Sequence, residues 1–212
     1  MSTTDNQSLL ERAAKVIHAD SRAVLATLDS LGDAFVAVAR EIVACNGKII
    51  VTGSGTSGTI AQRAAHLLSV GGSPAFYLSP ADGLHGGLGV IQPEDMVIAL
   101  SKGGSSAELN EFCSRARTLG KSLTVITATD GTPLTRNADH VILMTLEQDA
   151  DLGGVLATGS TLATSAIIDA LIDVARVARG YSWEKVLFTH PSGAVGRNAG
   201  KTLERLGSAD GR

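Results

Sequence analysis

The chain has 212 residues and a formal net charge of −3, enough length to bury a full core as one domain. Hydrophobic residues make up 44% and aromatic residues 3%; so few rings leave no stacking platform for bases, and the slightly acidic balance argues against a nucleic-acid surface. No apolar run reaches the roughly 18–20 residues of a membrane span, and the polar opening Met1–Gln7 lacks the pattern of a signal peptide, so the chain reads as cytoplasmic.

Residues Leu9 to Cys45 carry helical spacing, with Leu9, Leu10, Ala13, Val16, Ile17, Val24, Leu25 and Leu28 at three- and four-residue steps. Gly32 and Asp33 break the pattern, and a second helix from Ala34 to Cys45 stops at Asn46-Gly47. A strand over Lys48–Thr52 then runs into Gly53-Ser54-Gly55-Thr56-Ser57-Gly58 and a helix near Thr59–Val70. A strand at Ala75–Leu78, a long loop at Ser79–Gly89 and a strand at Asp95–Ser101 follow. A second turn, Lys102-Gly103-Gly104-Ser105-Ser106, opens a helix over Ser105–Leu119. A strand at Ser122–Thr127, a short helix at Pro133–Ala138 and a strand at His140–Met144 come next. This alternation predicts an α/β fold: a doubly wound, five-stranded parallel sheet flanked by helices. A helix over Thr158–Arg179 carries an apolar stripe (Leu162, Ala166, Ile167, Ala170, Leu171, Val174, Ala175) for the core or for a partner subunit. Ser182–Leu206 reads as a short helix, a Pro/Gly turn and a final helix. With no linker or repeat, residues 1–212 read as a single domain.

Glycine at a strand end lets the backbone approach a ligand closely, and the free N–H groups of a helix start attract an anion. Two hydroxyl-rich turns therefore predict one phosphorylated small molecule held between them. Neither turn is a nucleotide signature. The first lacks the lysine of a P-loop, and the strand after it ends at Ser79, where a dinucleotide fold places an acid. The rule that ligands sit beyond the carboxyl ends of parallel strands adds the loop around His85 to the same region.

His85 and His190 both stand in glycine-punctuated turns, where an imidazole serves either as an acid–base group or as a satisfied loop residue. His18, His66 and His140 fit helix or strand patterns and read as structural. Ser105, Ser106 and Glu108 open a helix, so capping competes with phosphate and sugar binding. Lys102 suits a phosphate or a carboxylate partner. Asp149 and Asp151 lie in a polar loop, Glu147–Gly153, where an acid is ordinarily just solvated. Cys45 and Cys113 lack metal-ligand spacing and read as buried reduced thiols.

Together these segments resemble the sugar isomerase (SIS) domain and, within it, the arabinose-5-phosphate isomerase family. The matching stretches are Gly53–Gly58, Leu84-His85-Gly86-Gly87-Leu88-Gly89, Val97–Glu108, Ala157–Thr161 and His190-Pro191-Ser192-Gly193-Ala194-Val195-Gly196. The resemblance implies a five-stranded parallel sheet, aldose–ketose interconversion of a phosphosugar through a cis-enediol, no metal or other cofactor, and a homo-oligomer, dimer or tetramer, with shared active sites. It places the catalytic positions at His85, Glu108, Asp149 and His190. It places substrate or phosphate contacts at Ser54, Gly55, Thr56, Ser57, Ser101, Lys102, Ser105 and Ser106. His190 is the expected carbon base, His85 opens the sugar ring or polarises its oxygens, and Glu108 and Asp149 shuttle protons or orient the histidines.

Several positions depart from the family pattern. Thr56 stands at the usual lysine, Lys102 at a small polar residue, Gly103 at a serine, Ser105 at a glutamate and Asp149 at a longer acid. The tandem CBS pair of long members is not in this sequence. Two other readings stand beside the isomerase: a non-catalytic phosphosugar sensor, and a lyase or epimerase that uses the same proton abstraction.

Overall fold

A computed structural model describes residues 5–209. Five parallel strands, β1 (Ile49–Thr52), β2 (Ala75–Tyr77), β3 (Met96–Leu100), β4 (Ser122–Thr127) and β5 (His140–Leu143), lie in the order β2-β1-β3-β4-β5. The chain moves outward from β1 to β2 and then returns to β3, so the strand order reverses between β1 and β3. At that reversal the connections leave on opposite faces and open a crevice above the strand ends.

Strand side chains alternate between two apolar layers, as a sheet covered on both faces requires. Val51, Met96, Ile98, Leu100 and Ile126 join one layer with α2 (Asp33–Ala44), α3 (Thr56–Val70) and α7 (Gly159–Ala178). Ile50, Val97, Ala99, Leu123 and Val125 join the other with α5 (Ala107–Leu119) and α6 (Pro133–Arg136). The long amino-terminal helix α1 (Asn6–Ala26) packs on α7 through its small buried residues Ala19 and Ala23. At the far end of α7, the guanidinium of Arg179 donates to the carbonyls of Ile42, Cys45 and Gly72. It thereby ties the helix to the segments that enter β1 and β2.

The segment expected as a long loop after β2 is ordered differently. It forms α4 (Pro80–Leu84) and a 3₁₀ turn over Gly87–Val90. Ser79 caps α4 by accepting from the N–H of Asp82, and Pro80 supplies a preset first helical residue. The glycines of this stretch obscured that start signal. α4 packs directly on α5; a side chain at Gly83 would collide with the Phe112 ring. At the carboxyl end, α8 (Trp183–Phe188), α9 (Gly193–Arg197) and α10 (Ala199–Ala209) replace the expected two helices.

Of the stripe expected along α7, Ile167, Leu171 and Ala175 are buried, joined by Ala163 and Ile168. Leu162 and Val174 remain exposed. Both cysteines are free and buried, with Cys45 just past the end of α2 and Cys113 on α5. Within the described residues no helix is long and apolar enough to cross a membrane.

Candidate active site at the strand ends

The two glycine-serine turns leave β1 and β3 side by side. Thr52 pairs with Ala99 in register. A Cβ on Gly53 would sit 3.0 Å from the Leu100 carbonyl oxygen and 2.9 Å from that of Ser57, so only glycine lets the first turn pass so close to the second strand. Gly55 then takes φ +57°, a left-handed conformation that releases the chain into α3.

Neither adjoining helix has a side-chain cap. Gly55 at the start of α3 cannot supply one, and Ser106 occupies the N-cap of α5 without making a capping hydrogen bond. Capping therefore does not account for Ser106. Both helices direct first-turn N–H groups and the positive end of their dipoles at the crevice. The Ser54 hydroxyl oxygen is enclosed without a hydrogen-bond partner, and so is that of Thr52 at the end of β1. Ser57 lies half-buried in the first turn of α3. In the second turn the Ser101 hydroxyl accepts from the N–H of Gly104, and that of Ser105 donates to the Gly103 carbonyl. Ser101 keeps its own hydroxyl hydrogen for a ligand.

Lys102 takes the carboxylate partner rather than standing free. Its Nζ lies 2.6 Å from Asp151 Oδ2. Asp151 is 4% exposed and its Oδ1 accepts from the backbone N–H groups of Thr158 and Ser160, at 2.9 and 3.0 Å. Burial alone would raise the pKa of this carboxyl; the hydrogen bonds from Lys102 and Ser160 outweigh it and hold it below the ordinary range. The lysine thus joins the second turn to the start of α7. Asp151 reads in sequence, like Asp149 in the same polar loop, as a solvated acid; the structure buries it, and only that burial sets the two apart. Asp149 is exposed and pairs with Arg22 of α1 at 2.6 Å, beside a second bond from Arg22 to Glu147. It also lines a cavity of about 370 Å³ with Arg12, Lys15 and Asp151.

Glu108 lies in the first turn of α5, exposed, and His85 closes α4 with its N–H bonded to the carbonyls of Ala81 and Asp82. α4 packs on α5, and the charge of Glu108 reaches the Tyr77 phenol beside the first turn. Tyr77, also unflagged by the sequence, links these pieces. Its hydroxyl lies 3.2 Å from the Gly53 carbonyl oxygen, and burial, then the charges of Asp82 and Glu108, push its pKa up.

His190 stands apart. Among the described residues its hydrogen bonds lie within its own segment, on Val186, Leu187 and Thr189, and α8 packs near the carboxyl-terminal halves of α3 and α7. Nδ1 is 2.8 Å from the Val186 carbonyl oxygen. A carbonyl only accepts, so Nδ1 carries the hydrogen and the neutral ring presents its lone pair at Nε2. His18 and His66 are exposed on helices, and His140 faces Glu41 at 3.2 Å. Among the described residues no three His, Cys, Asp or Glu side chains are grouped to hold a metal ion.

The SIS domain family model matches residues 42–174. Arabinose 5-phosphate isomerase KdsD of Pseudomonas aeruginosa is 33% identical over 197 residues, covering 93% of this chain and 60% of the relative; the chain thus spans less than two thirds of that protein. A Listeria monocytogenes structure, whose assignment as a sugar-phosphate isomerase is itself provisional, superposes with a TM-score of 0.85 at 32% identity, over 89% of this chain and all of that one. An Escherichia coli CFT073 protein, c3406, solved in complex with arabinose 5-phosphate, shares the fold with a TM-score of 0.84 at 24% identity, over 89% of this chain and all of that one.

Proposed function

Because the chain belongs to the SIS domain family, we propose that it is a phosphosugar aldose–ketose isomerase, with arabinose 5-phosphate and ribulose 5-phosphate as the pair to test first. The observation that carries this reading is the pair of uncapped helix starts flanking the β1/β3 reversal, with the enclosed, unpartnered Ser54 hydroxyl between them. That arrangement suits a phosphate group, which brings charge for the helix ends and acceptors for the hydroxyls. Ser54, Gly55, Thr56 and Ser57 hold it from the first turn, and Ser101, Ser105 and Ser106 from the second. Lys102 acts mainly through Asp151, keeping the second turn against α7.

The sugar then extends toward Glu108 and His85. His190 Nε2 takes the proton from the carbon beside the carbonyl, the hydroxyl proton passes between the two oxygens through the cis-enediol, and the carbon-bound proton returns one carbon along. Atoms balance without an external oxidant or reductant. Among the described residues the hydrogen bonds of His190 stay in its own segment, which suits a role in the site of a second copy. Support for a homo-oligomer, at least a dimer, comes from α1 and the turn that continues it: Leu10, Ile17, Leu25 and Leu28 are 63–66% exposed. Two unpaired thiols suit a reducing compartment and hence a cytoplasmic protein.

The test is incubation with a panel of aldose and ketose phosphates in deuterated water. The expected outcome is interconversion of one pair with deuterium entering at the carbon next to the carbonyl. Exchange without isomerisation points to an epimerase or lyase. Phosphosugar binding with neither exchange nor conversion points to a sensor, and either result overturns the isomerase.

A further inference from the structure

The side chain at the end of β2 has no part in the proton transfers above, yet it meets the first turn and the start of α3. The Tyr77 hydroxyl donates to the Gly53 carbonyl at 3.2 Å. A Cβ built on Gly58 would come within 3.0 Å of that same hydroxyl, so the phenol is pressed against the first turn of α3.

The bonded carbonyl belongs to a particular peptide unit. Gly53 C=O and Ser54 N–H share one planar trans peptide, in which the two groups point opposite ways. Fixing the carbonyl on Tyr77 therefore fixes the direction of the Ser54 N–H, the first donor of the first turn. Gly53 itself cannot slide, because Ser57 and Leu100 carbonyls crowd its Cα. The remaining freedom is rotation of that peptide, which a glycine permits more readily than any other residue. A phenylalanine would fill the same space and leave that rotation open.

We infer that Tyr77 is a positioning residue: its hydroxyl sets the orientation of the Gly53–Ser54 peptide and through it the affinity of the first turn for the phosphate group of the substrate. This rests on the phosphosugar reading of the site. It concerns the ground-state grip on phosphate, not the chemical step, so it raises affinity without altering turnover.

The experiment compares Tyr77→Phe with the wild type. The expected result is a rise of about 2- to 12-fold in both KM and the inhibition constant of inorganic phosphate, the scale of one lost oriented hydrogen bond, with kcat within about twofold. The ratio between the two proteins should stay constant from about pH 6 to 9, because burial and the charges of Asp82 and Glu108 keep the phenol protonated; an acid–base role would bend it. Equal phosphate affinity in Tyr77→Phe and wild type, or a fall in kcat with unchanged KM, overturns this inference alone. Failure of the wild type to bind either phosphosugar or inorganic phosphate overturns it together with the reading of the site.

Discussion

Replacing Asp151 with alanine removes three interactions at once: the acceptor for the Thr158 and Ser160 N–H groups and the partner of Lys102. Loss of the helix-start acceptor costs about 0.5–2 kcal/mol. The Ser160 N–H is left in a residue only 2% exposed, and an orphaned buried donor adds about 1–3 kcal/mol, partly the same loss counted from the other side. The ion pair itself adds at most about 1 kcal/mol, because Lys102, with 48% of its side chain exposed, regains water. The sum is about 2–4 kcal/mol, which for a chain of this size lowers the melting temperature by roughly 5–15 °C. Asp149→Ala breaks only an exposed pair with Arg22 and should cost less than about 1 kcal/mol. Calorimetry at one fixed protein concentration, so that assembly does not shift the result, checks both. If Asp151→Ala melts within about 2 °C of the wild type, or no lower than Asp149→Ala, the carboxylate does not anchor α7 and the account of Lys102 fails with it.

His190→Ala should lower kcat by about 10²–10⁴-fold with little change in KM, as expected for a base acting in the transition state; retention of most turnover by a folded, assembled variant moves the base to His85 or Glu108. Asp95, Asp139 and Asp151 all have carboxyl pKa values below the ordinary one, their bonds to Lys48, Arg117 and Lys102 outweighing burial. Their stabilisation is complete above the unfolded value near 4 and is lost as pH falls through the folded values, so a melting-temperature profile should be level from about pH 5 to 8 and drop below about pH 4. Ile17→Glu on the exposed face of α1 should reduce the mass measured by light scattering, while a wild type already monomeric at assay concentration would remove the shared site.

The sheet was readable because each strand is a short apolar run that meets a turn signal, and the two glycine-serine turns were readable because glycine and hydroxyl side chains cluster there for a local reason. What escaped depends on contacts across the chain. Asp149 and Asp151 look alike in sequence, yet one ends beside Arg22 on the surface and the other beneath Lys102. Lys102 suits a phosphate and a carboxylate equally in sequence, and only the fold brings it to the carboxylate of Asp151. Tyr77 was hidden for the same reason: nothing local says that the phenol closing an edge strand will meet a carbonyl at the end of the neighbouring strand. The missed α4 is different, since Ser79, Pro80 and Asp82 form a local start signal, outweighed in the reading by the glycines that follow.

The placement of α7 bears on how the protein is made. All five strands end by Leu143, whereas the helix that supplies Ala163, Ile167, Ile168, Leu171 and Ala175 to one layer begins only at Gly159. Arg179, which fastens that helix to the carbonyls of Ile42, Cys45 and Gly72, comes later still. A chain growing from the ribosome therefore has every strand available, with α2 and α3, while that layer still lacks the helix that packs on α2 and α3. The faces of α2 and α3 that pack on α7 stay open to other chains until translation passes residue 179. Ribosome-bound chains halted between β5 and α7 should accordingly be the species most prone to stick or to recruit a chaperone, and synonymous changes that slow translation in this interval would lengthen that exposure without altering a single amino acid.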